Sequence, residues 1–560
     1  VTSPLSAPAP RADAAPHADH AALAALHADL QAADFTVDGV ADLLGDVAAA
    51  ALHREQAVPA RRVVDAATTG RAPGDRDPRA TLASLFLLGG EVPRAALDAA
   101  LPGTGAAGLV RAGLAVAAGE VDDDPVRAVV DLAPYQATDA QGEVRWWLAS
   151  DQSELARGGA IANDHVLGAG GASLTLAQVT IRDEVDRALD LGTGCGIQAL
   201  HASRHARSVV ATDISERALD FARFNAGLNL AGATVSGAAG SGPTMRGPAG
   251  SGTPALDLRR GSLLDPVDGE LFDLVVSNPP FVITPHAGDA GRAVADALGA
   301  YEYRDGGRAG DDLVRDLITS VGTVLAPGGT AQLLGNWEHR RGEPWTERVG
   351  AWLDAAGLDG WVIQRELLDP AEYAETWIRD GGTTPDRDPA RWAAAYGAWL
   401  DDFASRDVEA IGFGIVTLRR PASDRPVLRR LEEHTGAVRQ PLGAHLAASL
   451  AAHEWLATRS DDALAAERLT TAEDVSEERY LTPGMADPNV VVIRQGDGLG
   501  RGVHASSPLA ALVGACDGEL TVGRLVAAIA AYFEVDGQAL AAELLPAVRN
   551  LVRDGFLRPS

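Results

Sequence analysis

The chain is predicted to be an α/β protein, a parallel sheet wrapped by helices and carried between two mostly helical flanking regions. Three observations lead there. Between residues 187 and 420, short apolar runs alternate with helical segments, the pattern of strand–helix–strand crossovers. One of those runs empties into a glycine-rich turn, and another is cut off by two consecutive prolines. On either side, Ala- and Leu-rich segments replace the alternation.

The predicted strands, in order, are RALDLG, SVVATD, FDLVVSN, GTAQLLGNW, WVIQREL and IGFGIVTLRR. The first runs through Asp190 and Leu191 into Gly192, Thr193, Gly194, Cys195 and Gly196, and then into a helix. Glycines at those spacings let a ligand approach the backbone, and the helix start offers free N–H groups. Asp190 would repel a pyrophosphate but attract an ammonium, directly or through water. The Cys195 thiol is not required by such a loop, which leaves that residue a backbone role. The second strand ends at Asp213, where a carboxylate can accept both hydroxyls of a ribose. Ile214 behind it would flank a purine, and Ser262, Leu263 or Asp265 would meet the adenine edge. S-adenosylmethionine matches that set. NAD is the alternative, and the GxGxG spacing counts against it.

The third strand stops at Ser277-Asn278-Pro279-Pro280-Phe281. Two prolines remove two backbone donors and fix two φ angles, giving a stiff, extended hook. The Asn278 side-chain oxygen and the Pro279 carbonyl would accept the two N–H bonds of an amide or amine. That aims its lone pair, and aim is most of what an in-line transfer needs. Pro280 completes the rigid turn, and Phe281 is expected to offer a face to a planar substrate group.

In this order and spacing, DLGTGCG, ATDIS, GSLLDP and SNPPF resemble class I SAM-dependent methyltransferases. More narrowly, they resemble the subgroup with an Asn-Pro-Pro-Tyr/Phe motif: HemK-type release-factor glutamine methyltransferases, ribosomal-RNA guanine N2 methyltransferases and DNA adenine N6 methyltransferases. The segment 303–329 is similar to the HemK-type stretch before the fifth strand. The resemblance spans roughly residues 160–420. It implies a Rossmann-like seven-stranded core, S-adenosyl-L-methionine as cofactor and catalysis at the hook. Phe281 stands where HemK-type enzymes have tyrosine. The glycine-rich stretch 163–182, with Gly168 and Gly170, is expected to lie over the methionine end of the cofactor. His165 and His286 are expected near the site, without a catalytic role.

The remaining organisation follows from composition. Residues 1–20 read as a disordered tail and 21–160 as a helical, winged-helix-like domain. The methyltransferase domain is set at 161–420, with a flexible Gly/Ala/Ser/Pro loop at 231–257, and a C-terminal domain at 421–560. In the last, DGELTVGRLV and LVRDGFL resemble the PqqD-like winged helix, which implies peptide docking. Hydrophobic content of 46% and charged content of 22% suit a soluble protein, and two cysteines suit a reducing cytoplasm. The formal charge of −29, carried with no lysine at all, works against nucleic acid as a partner. Residues 1–165 alone hold 12 arginines against 23 acids. The expected function is therefore methylation of a nitrogen in a protein or ribosomally made peptide. RNA or DNA bases, and small natural-product molecules, are the alternative acceptors. A non-catalytic SAM-binding regulator is a further alternative.

Overall fold

The strand that ends in the glycine loop and the strand that ends in the two prolines lie side by side, so both breaks open on one edge of a sheet. The computed structural model describes residues 14–139, 142–157, 162, 164–230, 234–236, 255–285, 306–421, 426 and 428–560. The chain divides into two units, Val1–Ala177 with Glu184–Asp424, and Gln178–Asp183 with Arg425–Ser560.

The first unit begins with helices α1 (His20–Ala32), α2 (Val37–Leu52) and α3 (Ala57–Thr68). Asp19 and Thr36 cap the first two by accepting the Ala22 and Gly39 N–H groups. The expected tail is shorter than 20 residues: Ala15 is buried, and the His17 N–H donates to the Ala112 carbonyl. Next come α4 (Pro78–Leu82), β1 (Glu91–Pro93), α5 (Arg94–Ala100), α6 (Gly105–Arg111), β2 (Ala115–Ala117) and β3 (Pro125–Ala128), with the strands in the order β1-β3-β2. A long hairpin follows, β4 (Asp131–Asp139) against β5 (Gly142–Ser150). Its buried Trp146 and Trp147 belong to a core shared with the central sheet.

The central elements are α7 (Glu154–Arg157), α8 (Gly171–Val179), β6 (Val185–Leu191), α9 (Ile197–Ala202), β7 (Ala206–Asp213), α10 (Glu216–Asn229), β8 (Thr234–Ser236), β9 (Ala255–Arg260) and β10 (Phe272–Ser277). After these come α11 (Asp312–Ser320), β11 (Leu325–Arg340), α12 (Trp345–Ala356), β12 (Asp359–Leu368), α13 (Pro370–Asp380), α14 (Pro389–Ser405) and β13 (Val408–Arg419). The strands lie in the order β12-β13-β11-β10-β6-β7-β9-β8. Neighbours from β11 through β8 are parallel, while β13 runs antiparallel to both β11 and β12. This is the expected seven-stranded Rossmann-like α/β core, with β8 added at its edge. The middle strands are near-continuous apolar runs because helices cover both faces. The expected loop at 231–257 needs correcting at its edges. Residues 234–236 and 255–257 are strand, since Val235 and Leu256 continue the ladder on β7; residues 231–233 and 237–254 lie outside the described residues.

In the second unit, β14 (Arg429–Glu433), α15 (Gly443–Ala457) and α16 (Asp461–Ala466) precede β15 (Arg468–Thr471), β16 (Val475–Tyr480), β17 (Val490–Gln495) and β18 (Gly502–His504). It closes with α17 (Ser507–Ala515), β19 (Asp517–Thr521), α18 (Val522–Tyr532), α19 (Gly537–Arg553) and β20 (Leu557–Pro559). Two small sheets form, β19-β15-β20 and β16-β17-β18. The DGELT stretch is strand β19: Thr521 pairs with Arg468 and Asp517 with Thr470. Leu544, Val548, Leu551 and Val552 of α19 are buried at helical spacing.

Candidate functional site

Two chemically opposite strand ends build the site. At the end of β6 the chain needs freedom: Gly192, Gly194 and Gly196 all have positive φ, at 75°, 54° and 91°. A Cβ on Gly192 or Gly194 would meet nothing within 4 Å, so the loop faces open space there. At Gly196 a Cβ would lie 3.0 Å from the Ala222 Cα, so this glycine lets α9 and α10 approach. At the end of β10 the chain is stiff. Ser277 is buried, its hydroxyl donating to the Leu191 carbonyl at 2.7 Å, which ties the hook to the strand before the glycine loop. The Asn278 Oδ1 that follows is buried and has no hydrogen-bond donor among the described residues. Such an atom costs free energy unless something else donates to it.

Both ends open into one cavity of about 1110 Å³. The core contributes Gly192, Thr193, Gly194, Cys195, Asp213, Ile214, Ser262, Leu263, Asn278, Pro279 and Pro280. The loop before α8 and the first turn of α8 contribute Asp164 through Ser173, among them His165, Gly168 and Gly170. That segment is held by the Asp151 N–H donating to the Val166 carbonyl, by the Asp151 carboxylate accepting from the Val166 N–H, and by Gln198 donating to the Ser173 carbonyl at 2.7 Å. The Asp213 carboxylate accepts from the Gly194 and Ser215 N–H groups, each at 2.9 Å, which joins the ends of β6 and β7. Ile214 is 58% exposed beside it. Leu263 sits at φ 46°, a strained setting for a branched side chain.

Two expectations are corrected. Asp190 does not line the cavity. Its Oδ2 accepts the Thr193 hydroxyl at 2.5 Å and the Ala199 N–H at 2.9 Å, so it fastens the loop to the first turn of α9 instead of facing an ammonium. Burial pushes its carboxyl up to about 7. Phe281 is not in the cavity wall either. Its ring packs on Phe413 with centroids 5.4 Å apart, in a cluster with Val282, Ile283 and Tyr373. Asp265 also lies off the wall, in a short turn after Leu263. Cys195 contributes its carbonyl, which accepts from Asn225 at 2.8 Å, and burial pushes its thiol up to about 11. His286 lies outside the described residues.

Sequence reasoning missed the opposite wall. It comes from Leu52, Glu55, Leu87, Asp131, Ala133, Pro134 and Tyr135 on one side, and from Arg308, Trp377, Arg379 and Asp380 on the other. The Asp131 Oδ1 is buried without a hydrogen-bond partner among the described residues, and burial raises its carboxyl to about 7. No motif marks these residues, because tertiary packing alone carries their elements over the strand ends. Charge on the wall is mostly acidic: Glu55, Asp131, Asp151, Asp164, Asp213 and Asp380 against Arg308 and Arg379.

Three family models match separate stretches of the chain. They are a domain of unknown function (DUF7059) over residues 32–129, ribosomal protein L11 methyltransferase (PrmA) over 172–241, and a domain of unknown function (DUF7782) over 447–559. The release factor glutamine methyltransferase of Deinococcus radiodurans is 34% identical over 163 residues, covering 27% of this chain and 46% of that protein. The ribosomal protein uL3 glutamine methyltransferase of Bradyrhizobium diazoefficiens is 29% identical over 219 residues, covering 37% and 59%. The chain thus spans about half the length of these curated relatives. Among solved structures, the ribosomal protein L11 methylase of Lactobacillus delbrueckii subsp. bulgaricus is 19% identical, covers 44% of this chain and 75% of its own, and has a TM-score of 0.21.

Proposed function

We propose that the protein is an S-adenosyl-L-methionine-dependent methyltransferase acting on a nitrogen of a protein or ribosomally made peptide. The carrying observation is the unpartnered Asn278 Oδ1, held rigidly before two prolines in the same cavity as the open glycine loop. The residues present suit the cofactor. Gly192 and Gly194 leave room beside their backbone, Asp213 offers a carboxylate at the cavity, and Ile214 offers an exposed apolar side chain next to it. Asp213, Ile214, Ser262 and Leu263 would hold the adenosine, and the 192–196 loop the rest. When bound, that cofactor supplies a methyl group on a sulfonium.

The chain's own residues would do the remainder. Asn278 Oδ1 and the Pro279 carbonyl accept the two N–H bonds of the acceptor and turn its lone pair toward the methyl. Because Pro279 and Pro280 fix the hook beforehand, little ordering is left for the moment of reaction. The relatives named above act on glutamine of a release factor or of uL3, and a glutamine side-chain amide is the acceptor class this reading favours. The acid-rich wall favours protein over a phosphate-bearing acceptor. In the same reading, residues 21–160, 161–420 and 421–560 are the working domains and the protein acts in the cytoplasm. The helix–strand–helix–helix–strand–strand order from α4 to β3 is winged-helix-like, and the C-terminal domain, 421–560, docks the peptide.

The test is transfer from methyl-labelled S-adenosylmethionine into an extract of the source cells, with aliquots treated with protease or nuclease. Label lost only to protease supports the reading. Label lost only to nuclease, label confined to small molecules, or no label at all overturns it.

A further inference from the structure

A cofactor with a zwitterionic amino-acid end needs a counter-ion for its ammonium, because a buried ammonium without one is costly. Asp190 does not supply it: its Oδ2 is held by Thr193 and Ala199, and the residue lies off the cavity. The acids on the wall differ in what they have left to offer. Asp151 accepts from Arg217 at 3.1 Å and from the Val166 N–H, and Asp213 accepts from the Gly194 and Ser215 N–H groups. Glu55, Asp164 and Asp380 are exposed, where water takes most of the value of an ion pair. Asp131 is half-buried, and its Oδ1 is wholly buried with no hydrogen-bond partner among the described residues.

The hairpin sets where Asp131 stands. Asp131 pairs with Ser150 and Ala133 with Leu148, and all of them line the cavity, so one face of the hairpin is cavity wall. Two contacts place that face. A Cβ on Gly168 would lie 3.0 Å from the Ser150 Oγ, so glycine there lets the loop before α8 close on the residue across from Asp131. Next to Ser150, Ala149 exchanges hydrogen bonds with Asn225, which also donates to the Cys195 carbonyl at 2.8 Å. Asp131 therefore belongs to the part of the wall bounded by two glycine-rich segments, 164–170 and 192–196. A Cβ on Gly170, Gly192 or Gly194 would meet nothing within 4 Å, so both segments leave open space beside their backbone. Burial raises the Asp131 carboxyl to about 7, although the Leu132 N–H favours its charged form. A cation against Oδ1 would offset that cost.

We propose that Asp131 is the counter-ion of the cofactor's methionine ammonium. This rests on the methyltransferase reading above and assigns the ammonium-binding residue of that site. An ammonium brings three N–H donors and a full charge, and a carboxylate meets both. The carboxylate comes from a hairpin ahead of the strand-end motifs, which is why no motif marks it.

The experiment measures Kd by calorimetry on the whole chain. The ligands are S-adenosylmethionine, S-adenosylhomocysteine, and S-adenosylhomocysteine with its α-amino group replaced by hydrogen. Wild type is expected to bind the amino-free analogue about tenfold or more weakly than S-adenosylhomocysteine. Asp131→Asn keeps the shape of the side chain and removes its charge. It should weaken both natural ligands by about tenfold or more and leave the analogue within about twofold of its wild-type Kd. Asp131→Ala, which needs no polar partner, carries the same expectation as a second variant. Without ligand, Asp131→Asn should melt at or above wild type, because it removes a buried carboxylate. Unchanged Kd for the natural ligands in both variants would overturn the assignment alone. An equal loss for the amino-free analogue would overturn it too, as the sign of a merely structural role, and so would a wild-type chain that binds the analogue as tightly as S-adenosylhomocysteine. No binding of S-adenosylmethionine to the wild-type chain would overturn the methyltransferase reading and this assignment with it.

Discussion

The ends of β6 and β10 are neighbours in one sheet, yet the chain treats them in opposite ways. After β6 the backbone is loose by residue type, with three glycines at positive φ, and the carboxylates brace the loop: Asp190 holds Thr193 and Ala199 through Oδ2, its Oδ1 being buried off the cavity, and Asp213 holds Gly194 and Ser215. After β10 the backbone is stiff by residue type, and the key polar atom, Asn278 Oδ1, is left unspent. The difference separates two kinds of preparation. A bulky ligand needs a cleared, well-braced cradle, whereas a small reacting group needs a fixed atom with an open lone pair.

Breaking the stiff end should have the largest effect. Asn278→Ala is expected to lower methyl transfer by about 10²–10³, with cofactor Kd unchanged in a labelled-cofactor binding assay; unchanged turnover would remove the hook from the chemistry. Asp213→Ala attacks the cradle, where losing a carboxylate with two backbone donors should weaken cofactor binding by about 10–100-fold, read by calorimetry. Gly196→Ala tests bracing instead of chemistry. With φ at 91° and Ala222 in the way, it should cost about 2 kcal/mol in chemical denaturation.

Asp190→Asn sharpens the comparison through pH. The Asp190 carboxyl titrates near 7 in the folded chain, above its ordinary 3.8. The folded state therefore binds its proton more tightly than the unfolded state. The stability this contributes is full below about pH 4 and is lost as pH rises through 7. The variant should show a shallower decline between those values in urea titrations at stepped pH. The smallest effect is expected at Phe281→Leu: with the ring on Phe413 and off the wall, transfer should stay within about threefold of wild type. A much larger loss would return the ring to the site.

What the sequence disclosed divides along the same line. Strand periodicity, the positive-φ glycines and the Pro-Pro stop are local properties, and each points directly at its place in the sheet. The direction of a side chain is not local. For Asp190 and Phe281 the residue pattern points to the right loops and the wrong neighbours, because a helix turn captures one and a strand residue, Phe413, captures the other. Asp131 and Trp377 reach the cavity on elements more than fifty residues from any motif. The length of the β4–β5 hairpin is not legible in the sequence, because its alternation is broken by Pro134 and by a run of buried residues from Trp146 to Ser150.

That hairpin is bound to α10 in an unusual manner. Asn225 exchanges hydrogen bonds with both the N–H and the carbonyl of Ala149, and Asn229 does the same one turn later with Trp147. Two asparagines thus present to β5 what a neighbouring strand would present, and Asn225 also holds the Cys195 carbonyl of the glycine loop. Consequently, a fragment trimmed to the motif-bearing stretch from 161 onward would carry a helix with two bare strand-like amides, one of them on the residue that also braces the glycine loop. Protease digestion of the intact chain should not release such a fragment in a cofactor-binding form, and recombinant work on the catalytic machinery should begin ahead of α1.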